Sequence, residues 1–135
     1  MKKRLPLNNI YAWIPSIVLM IFIFFMSSRQ NITVTHEFTT DFIIFKSLHV
    51  LEYALLTLLY FHALRKTTHV SYKTGITYAV FMALSYGIFD EVHQTFVPSR
   101  SGVPRDVFID LIGISLMGLI LRKYKLFFNK LLSST

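Results

Sequence analysis

The chain has 135 residues, of which 53% are hydrophobic, and its formal net charge at pH 7 is +7. A soluble domain of this length cannot bury so much apolar surface, so the composition favours an integral membrane protein. The sequence contains no cysteine, which excludes disulfides, thiolate metal sites and a cysteine nucleophile. The basic residues stand mainly in short segments between apolar stretches, which indicates membrane topology and argues against a nucleic-acid partner.

Four apolar segments follow one another along the chain, each near the length of about 17 to 25 residues that crosses the hydrocarbon of a bilayer. They cover residues 10–26, 42–64, 74–96 and 104–121. The sequence therefore predicts an all-α fold, an integral membrane four-helix bundle that forms one domain over residues 1–135. No small-residue cleavage site follows the first segment, so we expect a retained helix there rather than a signal peptide.

Basic residues are concentrated at the amino terminus, between the second and third segments, and at the carboxyl terminus. They are Lys2, Lys3, Arg4, Arg65, Lys66, Lys73, Arg122, Lys123, Lys125 and Lys130. Because cytoplasmic loops carry an excess of lysine and arginine, this pattern predicts that both termini lie in the cytoplasm. The loops at residues 27–41 and 97–103 then face the outside of a multi-pass membrane protein.

The second segment carries a polar face. Four of its polar side chains fall within an arc of roughly 120°, since successive residues of a helix are rotated by about 100°. They are Lys46, His49, Glu52 and Tyr53. The second segment therefore needs polar partners on neighbouring helices, because lipid cannot satisfy these groups.

Two further polar faces stand at the outer ends of the third and fourth segments. The aligned residues are Tyr86, Asp90 and His93 on the third, and Asp106, Asp110 and Gly113 on the fourth. Gln94 lies beside the first of these faces, and Glu91 is turned about 100° away from it. We expect the three polar faces to form a pocket that opens to the outside, in which Lys46, Arg100 and Arg105 neutralise part of the acid.

Three interpretations of this cluster stay open. In the first, the cluster holds a divalent metal as cofactor through nitrogen and oxygen ligands. The candidate ligands are His49, Glu52, Asp90, His93 and Asp110. In the second, carboxylates and a histidine divide general acid and base catalysis, while Arg100 and Arg105 bind an anionic head group. In the third, the same groups form ion pairs and hydrogen bonds that fix the helix register without any chemistry.

The polar residues of the three segments form one array. It reads Lys46-x-x-His49-x-x-x-Tyr53, then Asp90-Glu91-x-His93-Gln94-x-Phe96-x-Pro98-x-Arg100, then Arg105-Asp106-x-x-x-Asp110-x-x-Gly113. This array resembles the VanZ-like family of small bacterial membrane proteins. The Ser27-Ser28-x-Gln30 sequence after the first segment is also similar to that family, so the resemblance covers the chain from Ser27 to Gly113.

The resemblance implies a protein of the bacterial cytoplasmic membrane, in a family whose founding member is associated with low-level resistance to the glycopeptide teicoplanin. Since teicoplanin has a lipid tail and acts at the outer leaflet, we expect the pocket to bind or modify a lipid or lipid-linked envelope precursor there. An enzyme of this kind would be a hydrolase or transferase. Its proton-transfer residues would be Glu52, Asp90, Glu91 and His93.

The remaining polar residues of the array would bind the head group of the lipid. They are Lys46, His49, Tyr53, Gln94, Arg100, Arg105, Asp106 and Asp110. Two alternatives to an enzyme stay open, a lipid-binding or structural protein without turnover, and a small proton-coupled transporter that uses buried carboxylates and histidines as protonation sites. Four helices leave little room for alternating access, so transport would require an oligomer.

Overall fold

The chain folds into α-helices joined by short connections. The computed structural model describes residues 10–29, 37–98, 100 and 102–133, and this part of the chain contains no β-strand. The helices are α1 (Ile14–Ser27), α2 (Phe38–Thr67), α3 (Tyr72–Gln94), α4 (Pro104–Lys123) and α5 (Lys125–Ser133). The predicted all-α class is confirmed.

The helix count and bounds differ from the expectation at several places. A fifth helix follows the four expected ones, because the chain departs from helical geometry at Tyr124 (φ −101°, ψ 33°) and then resumes a helix. The second helix begins at Phe38 rather than at residue 42, and its 30 residues make it about 45 Å long. Pro15 stands in the first turn of α1, where the missing N–H of proline costs no hydrogen bond.

Helices α2, α3 and α4 pack against one another, and α1 packs mainly on α2. A stripe of small residues on α3 makes this close packing feasible, since they recur every fourth position and are all buried. They are Gly75, Ala79, Ala83 and Gly87. Phe61 of α2 packs at the first of these positions and Tyr53 of α2 packs at the last.

The backbones of α2 and α4 approach each other closely at Gly113. A Cβ atom at this position would overlap the backbone carbonyl of Val50, so only glycine fits here. This contact fixes the register between the two helices. As a result, the polar face of α2 lies opposite the acidic face of α4.

One described helix is long and apolar enough to cross a membrane by the criteria of length and composition, and it covers Thr39–Thr67. The apolar helix Ile14–Ser27 is shorter than a full span. Many large apolar side chains nevertheless lie on the surface of all four longer helices, including Phe25, Leu51, Phe81 and Leu119. The outer surface of the bundle is therefore apolar, as the composition indicates.

Candidate functional site

An ion pair joins α2 to α4 at the start of the polar cluster. The Nζ of Lys46 lies 2.5 Å from the Oδ2 of Asp106, and the Nε of Arg105 lies 3.6 Å from the Oδ1 of the same carboxylate. Both cations also lie over the ring of Phe42, at 5.7 Å and 5.2 Å from its centroid. The side chain of Arg105 is 63% exposed, whereas Asp106 is buried. Lys46, Arg105 and Asp106 thus form the accessible rim of the cluster.

A second polar pair lies one helical turn further along the same two helices. The Nδ1 of His49 lies 3.1 Å from the Oδ1 of Asp110, and the ring of His49 is parallel to that of Tyr53 with centroids 6.4 Å apart. Asp110 and Tyr53 are fully buried. The spacings of three residues on α2 and four on α4 match because both place side chains on one helix face.

Asp90 connects α3 to the end of α1 and has no solvent exposure. Its Oδ1 accepts a hydrogen bond of 2.6 Å from the hydroxyl of Ser27, and its Oδ2 accepts one of 3.1 Å from the amide of Gln94. Hydrogen bonds to a carboxylate are stronger than those between neutral groups. The hydrogen bond from Ser27 to Asp90 therefore holds α1 against α3, and Gln94 orients the carboxylate within α3.

Glu91 points to the connection between α3 and α4 rather than to the face of Asp90. Its Oε2 accepts a hydrogen bond of 3.0 Å from the backbone N–H of Val103, the residue that precedes α4. The side chain of Val103 makes no capping hydrogen bond to α4. Glu91 instead satisfies a backbone N–H group at the start of this helix, where backbone donors lack partners within the helix. Gly102 lies against the carbonyl of Glu91, where a Cβ atom would overlap it.

His93 and Arg100 also bind the end of α1. The Nε2 of His93 lies 2.9 Å from the hydroxyl of Ser28, and its imidazole stacks on Phe24 with centroids 4.3 Å apart. Arg100 donates from Nε to the carbonyl of Arg29 (3.0 Å) and from Nη2 to that of Met26 (3.4 Å). Arg100 thus stabilises the carboxyl end of α1, where a cation is favourable. The sequence predicts that Arg100 neutralises part of the acid, but it forms no ion pair with an acid among the described residues.

The structure separates the candidate metal ligands. No three histidine or carboxylate side chains come together as a metal site in the residues that the structure describes. The reason is that His49 pairs with α4, whereas His93 is bound to α1 through Ser28. The five candidate ligands therefore do not come together in the described part of the chain.

Some polar atoms in the middle of the cluster have no partner. The hydroxyl of Tyr53 and the Oδ2 of Asp110 are buried without a hydrogen bond in the described part of the chain, whereas the Oδ1 of Asp106 at the rim makes no hydrogen bond but lies 3.6 Å from Arg105. Glu52 is partly exposed and lies close enough to His49, Asp90 and Asp110 to interact with them electrostatically. The centre of the cluster is therefore rich in acid and incompletely satisfied.

Sequence reasoning assigned no role to two residues that belong to this network. Ser27 and Ser28 end α1 and bind Asp90 and His93, although only their resemblance to the family pattern drew attention to them. Their position directly after an apolar segment was the available signal. Tyr86, placed on the polar face of α3, donates a hydrogen bond of 2.6 Å to the carbonyl of Met20.

Comparison with known proteins gives one match. The family model VanZ/LLP1 matches residues 12–128, which include the whole cluster from Ser27 to Gly113. No curated protein and no solved structure matches the chain. The match covers most of the chain and agrees with the array of polar residues described above, and we conclude that this chain belongs to the VanZ/LLP1 family.

Proposed function

We propose that this chain is a multi-pass protein of the bacterial cytoplasmic membrane with both termini in the cytoplasm. The apolar side chains on the outside of α1 to α4 support contact with lipid, because they would be unfavourable in water. The basic residues at the opposite end from the cluster support the orientation by the positive-inside rule. In this orientation the polar cluster lies on the extracytoplasmic side.

In this proposal the cluster binds the head group of a membrane lipid or a lipid-linked envelope component. The observation that carries the proposal is the convergence of the family array at one end of the bundle, with an exposed arginine, Arg105, at its rim and unsatisfied buried atoms at its centre. Buried oxygens without a hydrogen bond are costly, and a bound head group would satisfy them. Arginine at the outer interface is well suited to bind a phosphate.

The geometry supports binding more than turnover. Three of the four residues considered for proton transfer, Asp90, Glu91 and His93, already hydrogen-bond to groups that join the helices. Binding at the outer leaflet would lower the access of a membrane-anchored antibiotic to its target. This would connect the site to the teicoplanin resistance that the family resemblance implies.

The proposal is tested by measuring the lipid that copurifies with the protein. Wild type, Arg105→Gln and the control Lys73→Gln are purified in detergent, and bound lipid is quantified by native mass spectrometry. Lys73 is exposed, carries the same charge and lies at the start of α3, away from the cluster. We expect Arg105→Gln to retain less than about one third of the lipid of wild type, since a charge-assisted contact is lost, and Lys73→Gln to retain all of it.

The same three proteins are then expressed at matched levels in cells challenged with teicoplanin. Wild type and Lys73→Gln should raise the inhibitory concentration, and Arg105→Gln should not. If wild type retains no more lipid than an unrelated membrane protein, or if both variants lose it equally, the head-group site is refuted. A changed lipid species in cells with wild type would favour an enzyme over a binding protein.

A further inference from the structure

We infer that the centre of the cluster binds a primary ammonium group, with the Oδ2 of Asp110, the hydroxyl of Tyr53 and the carboxylate of Glu52 as its partners. This inference rests on the proposed function and specifies the class of head group. The ligand would be a lipid that carries an amine close to its phosphate. The phosphate would lie at the rim beside Arg105.

The charge of the cluster is the first argument. Lys46 and Arg105 both contact the carboxylate of Asp106 at the rim, so neither of them neutralises the acids at the centre of the cluster. Asp90, Glu91 and Glu52 have no cationic side chain bonded to them among the described residues. Buried carboxylates without a counter-charge are costly in a low-dielectric environment, so the centre favours a cation and repels an anion.

The unpartnered atoms are the second argument, and they are independent of the charge. The hydroxyl of Tyr53 and the Oδ2 of Asp110 belong to fully buried side chains and make no hydrogen bond in the part of the chain that the structure describes. Both side chains border Gly87, because a Cβ atom there would lie 3.3 Å from the Cε1 of Tyr53 and 3.4 Å from the Oδ2 of Asp110. The Oδ2 of Asp110 and the ring that carries the Tyr53 hydroxyl thus meet at Gly87.

A primary ammonium group fits this donor set better than other cations. It offers three N–H donors, which match a carboxylate oxygen, a hydroxyl oxygen and a second carboxylate. Calcium and magnesium prefer six or more oxygen ligands and zinc prefers a tetrahedral set that includes nitrogen or sulfur, and no metal-ligating group of three residues is present in the described ranges. A trimethylammonium group has no N–H and could not satisfy either oxygen. Glu52 is partly exposed, so the ligand would reach the centre of the cluster past this side chain.

The test is a competition among lipids that differ only in the head group. Detergent-purified full-length protein is mixed with equal amounts of phosphatidylethanolamine, phosphatidylcholine and phosphatidylglycerol with matched chains, and bound species are counted by native mass spectrometry. We expect wild type to prefer the ethanolamine lipid over the choline lipid by about tenfold, the value of one strong charge-assisted hydrogen bond. A wall-precursor lipid with a lysine side chain has its amine far from its phosphate and should compete poorly, whereas strong competition by it would contradict the requirement for an amine close to the phosphate.

Two variants and one matched control connect the preference to these residues. Tyr53→Phe and Glu52→Gln should each reduce the preference to about twofold or less, because each removes a partner of the ammonium group. Tyr53→Phe should not lower the unfolding temperature, since it deletes a buried hydroxyl that has no partner. Glu37→Gln alters an exposed carboxylate just before α2 and should keep the wild-type preference.

Each other result overturns the inference in a distinguishable way. If wild type binds all three lipids equally, the amine site is wrong and the proposed head-group binding stands. If it binds none, both proposals fail together. If Tyr53→Phe keeps the preference, the hydroxyl serves only a bridging water. If sodium chloride stabilises lipid-free protein as much as the ethanolamine lipid does, relative to choline chloride, the centre binds an inorganic cation.

Discussion

The half of the bundle that contains the polar cluster, which is the outer half in the proposed orientation, and the opposite, inner half are held together by different interactions. In the outer half, helices are joined by side-chain contacts such as Ser27 to Asp90 and His49 to Asp110. In the inner half, Leu56 and Phe61 of α2 pack against the small residues of α3 with few polar contacts. Buried charge is costly in the outer half, and apolar packing would hold the helices together there without that cost. The polar outer half therefore indicates a requirement beyond stability.

The largest effect should come from the point where the two halves meet. Gly113→Ala would force a Cβ atom into the backbone carbonyl of Val50, which cannot move away as a side chain can. We expect a loss of about 3 kcal/mol in the free energy of unfolding, measured by denaturation in detergent. Gly118→Ala is the control, since its Cβ would meet only side-chain atoms of Val80 and Ile76, and should cost less than about 1 kcal/mol.

A truncation in the inner half tests the role of packing. Leu56→Ala removes a fully buried side chain and leaves a cavity, so we expect a loss of about 2 kcal/mol. Lipid binding should be unchanged because the cluster is not altered. The same truncation at Leu51, which faces outward, should cost far less. Equal losses at the two positions would show that α2 does not pack as described.

Loss of one hydrogen bond between α1 and α3 should have a smaller effect that is confined to α1. Ser27→Ala removes a donor to the buried Asp90 and should cost about 1 to 2 kcal/mol, since the carboxylate is left less satisfied. Ser85→Ala is the control, because the hydroxyl of Ser85 is exposed and bonds only to its own helix. Proteolysis rates after α1 measure the detachment. Equal proteolysis rates in the two variants would contradict a role of the Ser27–Asp90 hydrogen bond in holding α1.

The smallest effect should come from Arg100→Ala. It removes two hydrogen bonds to the last carbonyls of α1 and should cost about 1 kcal/mol or less, seen as faster hydrogen exchange near residues 26–29. Because Arg100 hydrogen-bonds to backbone carbonyls, we expect lipid retention to stay at the wild-type level. Parallel losses of lipid and of exchange protection would instead place Arg100 in the head-group site.

The helical period of the sequence predicts which side chains share a face, including the polar faces of α2 and α4 that meet in the structure. The partners themselves could not be predicted, because they depend on the register that Gly113 and Val50 set between distant segments. The partners of Arg100 could not be predicted either, since a guanidinium suits a carboxylate and a helix carbonyl equally well. The fifth helix was missed because its sequence is short and interspersed with lysines.

The bonds that secure α1 have a consequence for how the protein is made. Its partners Asp90, His93 and Arg100 follow it by 63 to 74 residues in the chain. The first helix is therefore synthesised long before any of these partners. In the proposed membrane topology, it would enter the membrane without them. The assembly of the amino-terminal helix is thus completed only when the connection between α3 and α4 has been translated.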